Sequence, residues 1–395
     1  MRQVDALPEP SRRKVLKAVG AGVATGGLLA AGGGGQAVAA TAAAASSSAS
    51  RHRTRIVLLG TGGGPALLGG ERYGASTAIV HDGRVYVVDL GVGAFLRLAQ
   101  SGLAPKTGLG STLSTVQGIF FTHLHSDHFT DWPTVYSTGA MNIVGRTLPA
   151  IRVFGPGDRG SLTRVFPDDR TAPAVFNPDD PTPGIAGMTA HLRKAFAQDL
   201  NDRARDSNAT SPDTLFDVQD IPIGDLWTVD AQGRPPRLNA PIEVWTDGDV
   251  RVTATLVDHH PTAPAFAFRF DTPDGSVVVS GDTAVSENLI DLARDCDYLV
   301  HEVIDPQFVD RLTAALPAGT AEALKEHLLA AHTTIEQVGR DVAQPAGAKN
   351  LVLNHLVPAN NALSRWRLAQ RGYSGRLIVG EDLMQLGVGT VLGRD

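Results

Sequence analysis

Of 395 residues only one, Cys296, is a cysteine. No internal disulfide can form, so the fold must rest chiefly on its core. The lone thiol also lies too far along the chain to anchor a lipid at the N-terminus. Aromatic residues make up 6% and mean hydropathy is close to zero. Hydrophobic residues nonetheless reach 43%, enough for one large core or two moderate ones. Cations are outnumbered: 35 Lys and Arg face 41 Asp and Glu, a net charge of −6. That is not the balance of a polyanion binder. No self-similarity appears at a solenoid period. The Gly-rich stretch 60–64 lacks the Lys-Ser/Thr that a phosphate-cradling loop requires, and reads instead as a tight turn passing close to a functional cavity.

A long uninterrupted apolar run is missing too. Near the N-terminus, Arg12 and Arg13 precede a weakly apolar Ala/Gly/Val/Leu stretch that ends in Ala37-Val38-Ala39. The order of charged region, apolar region and small-residue site is the secretory layout, and S-R-R-x-x-L-K resembles a twin-arginine signal. A spanning helix is disfavoured because glycines interrupt a short stretch, so no stable membrane insertion is expected after cleavage. The expected organisation is a twin-arginine signal peptide at 1–40, a flexible linker at 41–53 and one domain at 54–395. The mature chain would be periplasmic or extracellular. Loss of 1–40 removes five cations and two anions, taking the net charge from −6 to −9.

From residue 54 the pattern turns to short apolar strands bounded by turns: TRIVLLG, STAIVHDG, VYVVDLG and GIFFTH, with a helix at 93–101. A second series comprises IEVWTDGD, VRVTATLVDHH, AFAFRFDTPDGSVVVSGDT, YLVHEV, NLVLNH and RLIVGEDLMQLGVG, with helices near 286–294, 319–330, 334–344 and 361–371. Two strand-rich halves interleaved with helices predict an α/β architecture of two packed sheets covered outside by helices. DTPDGS reads as a hairpin turn, with Gly275 available for positive φ. Residues 156–240, Pro- and Asp-rich and then helical, read as an insertion over one edge of the domain.

His123-Leu124-His125-Ser126-Asp127-His128 puts four potential metal ligands in six residues, directly after an apolar strand. Neutral imidazoles bind zinc without piling up charge, and the aspartate can hold a second metal or take a proton. Partners appear at other strand ends: Asp258-His259, Asp282 in SGDT and His355 closing LVLNH. Strand-end loops are where a rigid scaffold presents chemistry. Export in the folded state would suit a protein that loads metal before leaving the cytoplasm.

With these motifs the chain resembles the metallo-β-lactamase superfamily, whose H-x-H-x-D-H pattern is complete here, from about residue 54 to the C-terminus. The resemblance implies a four-layer αββα sandwich and two Zn2+ ions, with Mn2+ or Fe2+ as alternatives. His123, His125 and His259 would hold one ion; Asp127, His128 and His355 the other; Asp282 would bridge. LLGTGGGP at 58–65, SGDT at 280–283, HE at 301–302 and HTT at 332–334 resemble the ribonuclease Z and arylsulfatase-like branch. By that likeness His332 acts near the scissile group and Glu302 orients it. His259 is preferred over His260, which would line the pocket. Asp89 either holds a ligand histidine or caps the following turn. His52, His81, His191, His301 and His327 are expected to play no catalytic part.

The implied reaction is hydrolysis by a metal-bridging hydroxide, with Asp127 orienting it and accepting its proton and His332 stabilising the developing charge or protonating the leaving oxygen. The expected substrate is a small-molecule phosphodiester or sulfate ester. The alternatives are a lactonase or β-lactamase-like hydrolase of cyclic esters and amides, or a non-catalytic metal-binding member of the fold. Between 161 and 218 there are six Lys and Arg against nine Asp and Glu. Together with the export signal, that balance argues against a tRNA partner. Apolar helix faces would allow a homodimer.

Overall fold

The computed structural model describes residues 49, 51–65, 72–105, 110–167 and 169–391. The signal expected at 1–40 lies outside the described residues. By its own contacts the chain divides at residue 44, and the described residues belong to the second unit.

Among the described residues, fourteen strands form two seven-stranded sheets. In chain order, the first sheet takes β1 (His52–Gly60), β2 (Ser76–His81), β3 (Arg84–Val88), β4 (Val116–Phe120), β5 (Ile151–Pro156) and β6 (Phe216–Ile221). The second takes β7 (Ile242–Asp247), β8 (Val250–Leu256), β9 (Phe266–Thr272), β10 (Gly275–Val279), β11 (Tyr298–Ile304), β12 (Asn350–Val357) and β13 (Arg376–Val379). The last strand, β14 (Gln385–Val391), returns to the first sheet beside β1.

Strand side chains alternate between faces, and here both faces are covered. In β1, Ile56 and Leu58 face the cluster between the sheets, while Val57 and Leu59 face the helices. An unbroken apolar run is the result. The scarce aromatics concentrate between the sheets: Phe120 meets Phe154, Phe268, Phe270 and Trp245 with ring centroids 5.3–6.4 Å apart. Outside the first sheet pack α1 (Ala94–Gln100), α3 (Trp132–Thr138) and α4 (Ile185–Ala195), and between α1 and α3 runs the short α2 (Ser126–Phe129). Beyond α4 lies α5 (Ala197–Asp206). Outside the second sheet pack α6 (Glu287–Leu292) and the helical turns of 335–346 and 363–370. The layers are therefore αββα, as expected. The exposed pair α7 (Pro306–Thr313) and α8 (Ala318–Ala330) follows β11.

The β2–β3 hairpin turns on Asp82-Gly83, both with positive φ, the backbone a two-residue hairpin loop needs. Gly275 also has positive φ in the β9–β10 hairpin. Three features depart from the expected layout. β5 and β6 had no strand reading; β6 mixes Asp and Gln into its sequence because it is the outermost strand of its sheet. Within 156–240, read as an insertion, residues 216–221 therefore belong to the sheet itself. RLIVGEDLMQLGVG is two strands, one in each sheet, with the crossing at 380–384. Finally, β1 begins at His52, inside the stretch expected as linker.

Neighbours β3 to β6 run parallel, as do β10 to β13. Their C-terminal ends therefore share an edge within each sheet. At that edge the sheets are tied together by Phe266 N–H, which donates to the Thr122 carbonyl at 2.8 Å. His123 follows Thr122 directly, so the H-x-H-x-D-H segment begins at this tie.

Candidate metal centre

The loop after β4 carries His123, His125, Asp127 and His128, the last two on the first turns of α2. The loop after β8 brings His259, the turn after β10 brings Asp282, and β12 brings His355. These seven, with His332 after α8, form three overlapping groups: His123, His125 and His259; Asp127, His128, Asp282 and His355; and His259, Asp282 and His332. Within each group the candidate ligand atoms lie within 4.8 Å of one another.

Asp282 is the hub. Its Oδ2 is 3.3 Å from His128 Nε2, 3.4 Å from His355 Nε2, 3.8 Å from His123 Nε2 and 4.0 Å from His259 Nε2. Across the cavity, Asp127 Oδ2 accepts from the Gly64 amide at 3.0 Å and lies 3.2 Å from His355 Nε2. A Cβ at Gly63 would collide with the His355 ring, so the Gly-rich turn does pass close to the site, as expected.

Each inward nitrogen is aimed by what its ring does behind. His128 Nδ1 donates to Asp89 at 2.8 Å, and the same carboxylate accepts from the Thr122 amide and hydroxyl. Of the two roles that the sequence left open, Asp89 takes the first: it holds the histidine, while the amides of the turn that follows it, Gly93 and Phe95, are bonded to Asp131. Asp89 adopts positive φ, as does His355 in β12. Such backbone costs on the order of 1 kcal/mol and is characteristic of sites where geometry must be met. His259 Nδ1 donates to the Ala331 carbonyl at 2.9 Å. His125 lies between His259 Nε2 at 3.1 Å and Thr262 Oγ1 at 2.8 Å.

Several buried atoms have no partner among the described residues: His123 Nε2, His128 Nε2 and Asp282 Oδ1. Leaving such atoms unsatisfied costs about 1–3 kcal/mol each, and one cation between them would satisfy several at once. The donor set, imidazole nitrogens and carboxylate oxygens, suits zinc and its neighbours. The residues therefore fit metal.

Electrostatics agree. Burial pulls His123 and His259 well below the ordinary histidine value, aided by neighbouring imidazoles, so their nitrogens are free to coordinate. At His128 burial works the same way, but Asp282, Asp89 and Asp127 outweigh it and favour positive charge. Burial also opposes the charge of Asp282, yet His355 and His128 hold its pKa well below the carboxylate range. The field is one that collects cations.

Glu302 Oε1 accepts from His332 Nδ1 at 3.0 Å and from the amides of Thr283 and Thr333 at 3.1 and 3.2 Å. Burial lowers the His332 pKa, but Glu302 outweighs it and the value is pushed up to about 9. His260 points elsewhere: Nδ1 donates to Asp258 at 2.8 Å, and Nε2 accepts from Arg234 at 2.8 Å. It is His259 that stands in the cluster. Of the other histidines, His52, His81, His191 and His301 lie outside it, whereas the His327 ring centroid is 6.1 Å from that of His259 and 6.2 Å from that of His332. The signal available for it was its place five residues before His332, near the end of α8.

The model of the metallo-beta-lactamase superfamily matches residues 69–329. Ribonuclease Z of Mycobacterium avium (strain 104) is 30% identical over 337 residues, covering 84% of this chain and 98% of that protein. Ribonuclease Z of Mycolicibacterium gilvum (strain PYR-GCK) is 27% identical, covering 84% and 96%. Among solved structures, the short form of human tRNase Z superposes with a TM-score of 0.53 at 20% identity, over 85% of this chain and all of that one. The metallo-beta-lactamase fold protein YhfI of Bacillus subtilis gives 0.51 at 16% identity, over 84% and 98%.

These likenesses overturn one expectation. A small-molecule ester as substrate, with tRNA set aside, conflicts with relatives named as ribonucleases along nearly their whole length. The charge count over 161–218 misled because it ignored position. Arg193 and Arg203 pair with Asp213 and Asp199 away from the cluster, while Arg164 and Arg170 line a cavity shared with His260 and His327. Local charge, not the sum, decides which polyanion can approach. With a family model spanning most of the domain and near full-length relatives at 27% and 30% identity, the chain belongs to the metallo-β-lactamase superfamily of metal-dependent hydrolases.

Proposed function

We propose that this protein is a phosphodiesterase of the ribonuclease Z type, which hydrolyses RNA with two divalent cations, zinc first among them, held by His123, His125, His259, Asp127, His128, His355 and a shared Asp282. The observation that carries the reading is Asp282, a buried carboxylate within 4.0 Å of inward nitrogens from both histidine groups. Likeness to ribonuclease Z along 84% of the chain supports RNA as the substrate class. Bound there, the metals would supply Lewis acidity and a water acidified toward neutrality.

The chain's own groups complete the reaction. Asp127 Oδ2, fixed by the Gly64 amide, orients the attacking water and takes its proton. Glu302 holds the Nδ1–H of His332 and so favours the protonated ring, whose other nitrogen gives a proton to the leaving oxygen. Burial of the cluster under the Gly-rich turn limits water and strengthens these charges.

The test is cleavage of a structured RNA with a single-stranded 3′ extension by the full chain, after its metal content has been measured. Cleavage that is abolished by chelation and restored by zinc is expected. A protein carrying two metals per chain that hydrolyses nitrophenyl sulfate or a lactone but leaves the RNA intact would refute the reading. Export by the twin-arginine route is a separate proposal about where RNA is met, resting on Arg12, Arg13 and Ala37-Val38-Ala39. Replacing both arginines by lysine should retain the protein inside the cell, and normal export of that variant would end it.

A further inference from the structure

Beside the cluster lies a cavity of about 220 Å3, lined by Arg164, Phe166, Arg170, His260, Glu326 and His327. One wall reaches the centre directly: His260 follows His259 in the chain, and the His327 ring centroid is 6.3 Å from that of His125. The opposite wall comes from the Pro- and Asp-rich stretch that the reaction itself leaves unused.

The chemistry of this cavity is uneven. The Arg164 guanidinium lies over the Phe166 ring, 4.6 Å from its centroid, and also pairs with Glu326 at 2.7 Å. A cation over an aromatic face is an attractive arrangement, and here it fixes a ring that would otherwise turn freely. Arg170 pairs with no carboxylate among the described residues. A chain of net charge −6 thus presents, next to its reaction centre, one guanidinium with no carboxylate partner among the described residues and one oriented aromatic ring. Stacking surface beside positive charge is the combination that holds an unpaired nucleotide: the base has a π-face and the backbone an anion.

A second cavity of about 320 Å3 lies on the other side of Thr262, lined by Leu124, Phe129, Met188 and Pro264 among others. Its arginine, Arg159, is already bonded to the carbonyls of Pro261 and Asp230. Those two carbonyls occupy both terminal nitrogens of Arg159, so its guanidinium is turned to the backbone rather than to a phosphate.

Resting on the ribonuclease reading above, we propose that the cavity at Phe166 and Arg170 is the subsite for the single-stranded nucleotide that flanks the scissile phosphodiester, with Phe166 stacking on its base and Arg170 taking its phosphate. Specificity there is for an unpaired nucleotide rather than for a particular base, because every base offers a face to stack on.

The experiment compares kcat/KM of the metal-loaded full chain on three RNAs: one intact, one with an abasic nucleotide just 5′ of the cleaved bond, one with an abasic nucleotide just 3′ of it. The wild type should prefer the intact RNA over one of the abasic forms by about 5- to 150-fold, the range of a single base–aromatic stack. Phe166→Ala should bring that ratio close to one, and Phe166→Trp should restore it. Arg170→Ala should keep the ratio and reduce the slope of log kcat/KM against log salt by about 0.7. A ratio is insensitive to a general loss of folded enzyme, so a merely structural role for Phe166 would leave it unchanged. An unchanged ratio in Phe166→Ala, or no preference in the wild type, overturns the subsite while leaving RNA cleavage in place. If no RNA is cleaved although bis(4-nitrophenyl) phosphate is, the ribonuclease reading fails and the subsite with it.

Discussion

Two buried histidines, one at each end of the sandwich, sit among carboxylates and come to opposite ends chemically. At the hairpin end, His81 Nδ1 meets Thr54 Oγ1 at 2.6 Å and Nε2 meets Asp249 at 3.0 Å, so both ring nitrogens are taken. At the loop end, His128 gives Nδ1 to Asp89 and leaves Nε2 bare, facing Asp282. The first arrangement is complete and stabilises the fold. The second is incomplete by one positive charge. Residue type and burial are the same in the two places; what marks the functional one is the coordination the protein leaves unmade.

The contrast can be broken most severely at Asp282. Asp282→Ala should remove both metal and activity, by more than the 10- to 100-fold typical of losing an outer partner, with metal per chain read by elemental analysis. A fully loaded, fully active variant would show that the hub is not one. Asp89→Asn tests the outer partner itself. It should weaken metal affinity by about 10- to 100-fold in a chelator competition. At the other end, His81→Ala should leave metal content and specific activity intact while lowering stability to denaturant by about 1–3 kcal/mol, since Thr54 and Asp249 lose a buried partner. Loss of metal from that variant would mean that the two ends are not independent.

The smallest effect is one of pH. Hydrogen bonds from Arg84 and then His81 hold the Asp249 pKa down to about 2, against an ordinary 3.8. A depressed carboxylate contributes stability that is fully present above its unfolded value and is lost as pH falls through the folded one. Asp249→Asn should therefore flatten the fall in melting temperature between pH 3.8 and about 2, and leave the curve above that range parallel to wild type. Asp249 is exposed enough for salt to screen the effect.

Much of the centre was legible because its ligands announce themselves locally. His123 to His128 occupy six consecutive positions after an apolar strand, and Asp282 and His355 also close apolar runs. The choice between His259 and His260 was harder. Adjacent residues in an extended segment point to opposite sides, and only the positions of Asp258 and Arg234 decide which ring faces away. Asp89 was ambiguous for a similar reason: its partners Thr122 and His128 are 33 and 39 residues distant.

By itself the sequence determined which candidate ligands stand at the loop ends and the layered architecture, because a strand ending in metal-binding side chains and an apolar run buried on both faces are local patterns. Only the tertiary structure decided where charge accumulates, and which strand serves which sheet. Arg164 and Arg170 vanish in a count dominated by aspartates, yet they meet Phe166 and His327 in one cavity. RLIV and QLGVG read as one run, yet each completes a different sheet. Composition sums over the chain without regard to distance, whereas Coulomb attraction, stacking and strand pairing act only between groups that folding has brought within a few ångströms.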